Sequence, residues 1–198
     1  MPCLCQREEI AKRQAENMLK HCNLPEKSEH KTFDTFEVRS KSGGEAKALS
    51  QRLARGDDNV VFLTLMSDTG LGKSHLSIAV CRAWLSRGLA ARYCFVPELL
   101  DDIRNSYKND ELTGRSHSQL MNLLETVPLL VLDDLGTEKK SEWVCETLQT
   151  IIDCRARNAL PLLVTTNKPL NQLPNDDEGR IRSRLEREPW CKVVILEV

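Results

Sequence analysis

Aromatic side chains are scarce in this chain, 5% of 198 residues, and net charge is nearly absent, with 28 Lys+Arg against 29 Asp+Glu for a formal charge of −1. That balance excludes a protein that binds nucleic acid by being basic overall and confines any such site to a local patch. Long apolar runs are missing as well. The longest nearly apolar stretches, Val60 to Met66 and Val127 to Leu132, fall far short of the roughly 18 to 20 residues that cross a bilayer. The N-terminus, Met1 to Lys20, is charged and polar, without the apolar stretch and small-residue cleavage site of a secretory signal. A cytoplasmic protein with no membrane association is expected. There is no internal repeat and no low-complexity tract, and a domain of roughly 150 residues leaves about 40 for an arm or appendage.

Eight cysteines are many for such a chain. Cys81, Cys94, Cys145, Cys154 and Cys191 sit singly in apolar or helical surroundings and read as small reduced core residues. Cys3, Cys5 and Cys22, with His21, supply potential zinc ligands, although zinc modules usually open with cysteines about two to four residues apart. Free thiols on a charged helical arm are the other reading, and the sequence leaves both open.

Residues 6 to 22 are rich in Glu, Lys, Arg, Gln and Ala, with apolar positions too sparse for a strong face, so they read as a helical arm. Ser42-Gly43-Gly44 then punctuates the chain before a helical pattern over Glu45 to Arg55, and the core is expected after that break. From Asn59 onward short apolar runs alternate with amphipathic stretches. Strands are expected at Val60 to Met66, Ala91 to Val96, Leu129 to Leu132, Leu162 to Thr165 and Val193 to Leu196. Short buried strands separated by helices predict an α/β fold, a parallel sheet covered on both faces.

The first strand runs into Ser67-Asp68-Thr69-Gly70-Leu71-Gly72-Lys73-Ser74 and a helical pattern follows at once. This is the context of a phosphate-binding loop. Backbone N–H groups of Asp68 to Ser74 surround the β- and γ-phosphates of ATP, Lys73 reaches those phosphates, and the Ser74 hydroxyl ligates Mg2+. The pattern normally opens on Gly, where this chain has Ser67. The strand Leu129 to Leu132 ends in Asp133-Asp134; in a phosphoryl-transfer site Asp133 would hold the magnesium shell and Asp134 would orient or polarise the attacking water. A third strand ends in Thr166-Asn167, where a parallel sheet presents its ligand-facing edge, so Asn167 is placed to touch the γ-phosphate or its water. Arg180 and Arg184 lie four apart in a helical stretch that by itself would read as a solvated basic face.

The series Ser67 to Ser74, Leu129 to Gly136, Val164 to Asn167 and Ser183 to Leu185 resembles the AAA+ ATPases of the DnaC/DnaI type, the bacterial and phage replicative helicase loaders, with the transposition helper IstB close by. The resemblance runs from about Thr32 to Leu196. It implies a RecA-like P-loop core over residues 32 to 198 and an N-terminal arm over residues 1 to 31, in which Cys3-Leu4-Cys5 is similar to the tail end of a helicase-binding, sometimes zinc-containing module. It implies that Asp133 and Asp134 are the Walker B pair, Asn167 is sensor 1, and Arg184 is an arginine finger reaching a neighbouring subunit's nucleotide, which makes the active form an oligomer. Thr32 to Phe36 would lie beside the base. The second Walker B acid is Asp where most AAA+ proteins have Glu, which fits a slow switch, and the chain stops at Val198 without the usual C-terminal helical lid.

The implied function is an ATP-dependent replication accessory ATPase that loads a replicative helicase onto single-stranded DNA. Candidate DNA contacts are Arg104, Lys108, Lys139 and Lys140. The alternatives are a transposition helper that shares the ATPase, a small-molecule kinase with the same loop, and a nucleotide-binding scaffold without turnover, the last suggested by Ser67 and Asp134.

Overall fold

The computed structural model describes residues 18–107, 117–174 and 179–197. Five strands form one parallel sheet: β1 (Phe62–Met66), β2 (Ala91–Phe95), β3 (Leu129–Asp133), β4 (Leu162–Thr166) and β5 (Cys191–Ile195), in the order β2-β3-β4-β1-β5. Residues 18–22 are helical, and the helices that follow are α1 (Lys41–Arg55), α2 (Lys73–Ser86), α3 (Val96–Ser106), α4 (His117–Thr126), α5 (Glu142–Arg157) and α6 (Arg180–Glu186). The expected fold class and strand order of appearance hold, with boundaries shifted by a residue or two.

The near-continuous apolar runs are explained by cover on both faces of the sheet. Successive side chains of a strand point to opposite faces. In β3, Leu130 and Leu132 accordingly pack with α3, α4, α5 and α6, while Leu129 and Val131 pack with α1 and α2. Beneath β3 and β4, the fully buried Arg155 of α5 donates to the carbonyls of Leu124 (2.9 Å) and Pro161 (2.6 Å), tying the last turn of α4 and the entry to β4 to one helix. Burial pushes its guanidinium down to about 10.

Two expectations fail. The Ser-Gly-Gly punctuation does not precede α1 but lies inside its first turn, because Ser40 caps the helix, accepting from the Gly43 N–H at 3.2 Å. A Cβ on Gly44 would make only an ordinary contact with Val38, at 3.5 Å, so space does not require glycine there. Nor is Cys22 a thiol on a solvated arm. It is fully buried in the cluster under α2 and hydrogen-bonded to Cys81, and Arg92 Nη1 donates to the His21 carbonyl at 2.9 Å, so residues 21 and 22 are fastened to β2. Among the described residues no His, Cys, Asp and Glu cluster is arranged to hold a metal ion; Cys3 and Cys5 lie outside them. Cys81, Cys94, Cys145 and Cys191 are buried free thiols as expected, and Cys154 is half-buried. No helix among the described residues is long and apolar enough to cross a membrane.

Candidate functional site

The C-terminal ends of β1, β3 and β4 lie side by side, and the chain leaves each of them at a residue of the proposed site. β1 opens into the loop 67–72, β3 ends on Asp133, and β4 runs into Asn167. The loop turns into α2 through Gly72, whose φ of +89° is left-handed and whose missing Cβ would stand 2.6 Å from Phe36 Cε2. Only glycine meets both conditions. Phe36 in turn packs edge-on to His75 of α2, whose Nε2 lies 2.8 Å from the Thr32 carbonyl and therefore carries the proton. Thr32 to Phe36 is thus clamped beside the loop.

Two adjoining cavities result. One of about 350 Å3 is lined by Thr69, Gly70, Gly72, Lys73, Ser74, Asp133, Asp134 and Asn167, joined by Lys31, His75, Phe95 and Thr165. The other, about 400 Å3, lies between Phe36, Leu71, His75 and Leu196. Asp68 and Leu71 lie outside the first wall and serve differently: the Asp68 carbonyl accepts from Lys73, and Leu71 lines the second cavity.

Lys73 is buried, with Nζ donating to Ser67 O (2.8 Å), Ser67 Oγ (2.9 Å) and Asp68 O (2.9 Å). Ser67, the departure from the usual glycine, therefore supplies an acceptor for the lysine. Burial lowers the ammonium's pKa, against the charges of Asp134, Asp133 and Asp68. Asp133 receives hydroxyls from Ser74 (2.9 Å), Ser77 (3.4 Å), Tyr93 (2.5 Å) and Thr165 (2.7 Å). Asp134 sits at a left-handed φ of 62°, a conformation aspartate tolerates better than most residues. Its N–H donates to Thr165 Oγ1 (2.9 Å) and its Oδ1 accepts from Asn167 Nδ2 (2.8 Å). Burial, then the charge of Asp133, raises its carboxyl pKa, with Lys73 and Thr137 opposing.

The structure thus gathers Lys73, Ser74, Asp133, Asp134 and Asn167 around one cavity. Arg184 is elsewhere: on α6, its Nε donates to Asp153 Oδ1 at 2.7 Å, and it lines neither cavity. Arg104 is exposed and lies over the Trp143 ring at 4.9 Å, Lys139 and Lys140 are exposed before α5, and Lys108 falls outside the described residues. Thr165, Tyr93, Ser77, His75 and Lys31 were not singled out from the sequence; the polar Thr165-Thr166 at the end of a buried strand was the one available signal.

The oxygen donors Ser74 Oγ and Asp133 Oδ2, 2.9 Å apart on the cavity wall, fit a hard cation such as Mg2+. Main-chain N–H groups at the start of α2 beside a buried lysine fit a polyphosphate.

Known proteins are similar to this chain in sequence and in fold. The replicative helicase loader DnaC of Escherichia coli (strain K12) is 27% identical over 164 residues, covering 80% of this chain and 65% of DnaC. The replicative helicase loader DnaI of Bacillus subtilis (strain 168) is 27% identical over 106 residues, covering 53% of this chain and 32% of DnaI. This chain therefore spans less than two thirds of either relative. The crystal structure of the DnaC helicase loader superposes with a TM-score of 0.73 at 20% identity, covering 87% of this chain and all of that one. The replication initiator DnaA bound to AMPPCP and single-stranded DNA gives 0.75 at 18%, covering 86% of this chain and 50% of that one. This chain shares its fold with these proteins. A family model described as IstB-like ATP binding protein matches residues 3–184, so it takes in the phosphate loop, both strand-end acids and Asn167 in a single span, and the chain belongs to the IstB-like ATP binding protein family.

Proposed function

We propose that this chain is a slow, oligomer-dependent ATPase that loads a replicative helicase onto single-stranded DNA. The observation that carries the catalytic part is the convergence of Lys73, Ser74, Asp133, Asp134 and Asn167 on one cavity. The triphosphate lies along the loop 68–74, with the base beside Thr35, Phe36 and His75. Ser74 and Asp133 would hold Mg2+, which would offset phosphate charge. Lys73 leaves its loop carbonyls for the β- and γ-phosphates. Asp134, kept in place by Asn167 and Thr165, accepts a hydrogen bond from the attacking water and turns its lone pair toward phosphorus. Arg184, exposed on α6 and away from its own cavity, stabilises charge on a neighbour's γ-phosphate.

The helicase-loading part is supported by the likeness to DnaC and DnaI. The transposition-helper reading is favoured by the family model itself, which takes its description from IstB. Binding of the purified chain, with ATP and Mg2+, to the replicative helicase and to the transposase of the source organism separates the two. Loading predicts an ATP-dependent complex with the helicase and its transfer to a single-stranded circle. Complex formation with the transposase alone overturns loading.

A further inference from the structure

Asp133 is saturated in an uncommon way. A carboxylate offers about four acceptor positions. On Oδ1 they are taken by Thr165 and, at the long distance of 3.4 Å, Ser77; on Oδ2 by Ser74 at 2.9 Å and Tyr93 at 2.5 Å. Ser74, Ser77 and Thr165 come from the phosphate-loop helix and the neighbouring strand β4, the elements that build the cavity. Tyr93 comes from β2 at the sheet's edge, and it does not line that cavity. Its ring is 5% exposed, so its hydroxyl is bound to the carboxylate rather than to bulk water.

The two oxygens of Asp133 are not equivalent toward a cation. Ser74 bonds Oδ2, so a cation seated on Ser74 has Oδ2 as its nearest carboxylate oxygen. Ser74 keeps its hydrogen on Oδ2 while its oxygen lone pair faces the cation, so that bond and metal ligation are compatible. The second acceptor position of Oδ2, which a cation-bound water would use, is filled by Tyr93.

We propose that Tyr93 is a positioning residue that weakens divalent-cation binding by holding Asp133 Oδ2, so that Mg2+ engages this carboxylate only when the phenol gives up its bond. The proposal rests on the reading of the cavity as the Mg-ATP site. Tyr93→Phe keeps the ring and removes only the hydroxyl. Hydrogen bonds to charged groups are the stronger ones, so freeing the acceptor should lower the half-saturating Mg2+ concentration about tenfold, roughly 1.4 kcal/mol.

The measurement is a Mg2+ titration of the full chain with a fluorescent ATP analogue, read as nucleotide binding without turnover, with Mn2+ binding followed by paramagnetic resonance as a second readout. Tyr93→Phe should bind the analogue as wild type does in excess chelator, and its Mg2+ and Mn2+ curves should move to lower concentration. Coincident curves, or a move to higher concentration, overturn the proposal. If the Phe variant does not fold, Tyr93→Met carries the same expectation. A wild-type chain that binds no nucleotide at any Mg2+ concentration overturns the Mg-ATP reading, and the proposal with it.

Discussion

Thr165 gives the sharpest test of the site, because one hydroxyl joins both strand-end acids. It donates to Asp133 Oδ1 at 2.7 Å and accepts from the Asp134 N–H at 2.9 Å, with Thr165 1% and Asp133 4% exposed. Thr165→Val keeps shape and volume and deletes both bonds, with little access for a replacing water. A bond to a charged acceptor contributes about 1.5–3 kcal/mol, and a donor left unmet costs about 1–3 kcal/mol. Asp134 is only half-buried, so the lower ends apply and the loss is about 2.5 kcal/mol. At about 2–4 °C per kcal/mol for a chain of this size, Tm should fall by roughly 5 to 10 °C. ATP affinity should change little, since Thr165 contributes no cation to the phosphates, while turnover should fall about 10²-fold as Asp134 loses its anchor. Thermal unfolding and single-turnover hydrolysis read the two effects, with Thr165→Ser behaving as wild type. A valine variant with wild-type Tm and rate would refute the role of this hydroxyl.

Lys73→Ala should weaken ATP binding about 10²-fold, the equivalent of about 3 kcal/mol of lost charge-assisted bonds, measured by calorimetric titration. Because burial and the neighbouring Asp133 raise the Asp134 pKa, and the water needs the deprotonated form, hydrolysis should be lost as pH falls through that raised value, with an acid limb above the ordinary Asp range of about 3.9; a limb at or below it contradicts the assignment. Replacing exposed Lys139 and Lys140 with Ala should lower the salt slope of single-strand binding by about 1.4, two contacts at about 0.7 each, and identical slopes exclude that loop. Arg184→Ala should bind ATP normally and hydrolyse it about 10³-fold more slowly, and mixing it with Asp134→Ala should restore part of the rate; a mixture no faster than its parts, with assembly intact, rules out the shared site.

What the sequence displayed were the groups whose own chemistry is unusual for their place: a lysine after a glycine pair, two acids ending an apolar strand, a polar pair ending another. What it did not display were the partners that hold them. Ser77, Tyr93 and Thr165 stand 56, 40 and 32 positions from Asp133, and nothing in the pattern of a serine in a helix or a tyrosine in a strand records that distance closing. The start of α1 was hidden because glycine disfavours helix interiors on average, whereas here the Ser40 cap offsets that preference. Cys22 was hidden because its arm carries too few apolar residues to show a face; its burial depends on Cys81 and β2, both far along the chain.

The cations assigned to phosphate chemistry are both engaged within the chain, and the two engagements differ in kind. Lys73 is buried and satisfies its donors on carbonyls of the loop that would carry the nucleotide. Its exchange partner arrives at the same place, so a triphosphate replaces neutral acceptors with charged ones and the exchange is favourable on arrival. Arg184 pairs with Asp153 where the side chains are 46% and 26% exposed. Such a pair contributes about 1 kcal/mol or less, too little to hold the arginine against a polyphosphate, yet enough to fix the direction in which it leaves α6. In the proposed assembly the phosphate loop therefore responds to nucleotide alone, while the finger responds only to a neighbour that already carries it. That assembly would separate binding from hydrolysis by the need for a second subunit rather than by the strength of any bond in the first.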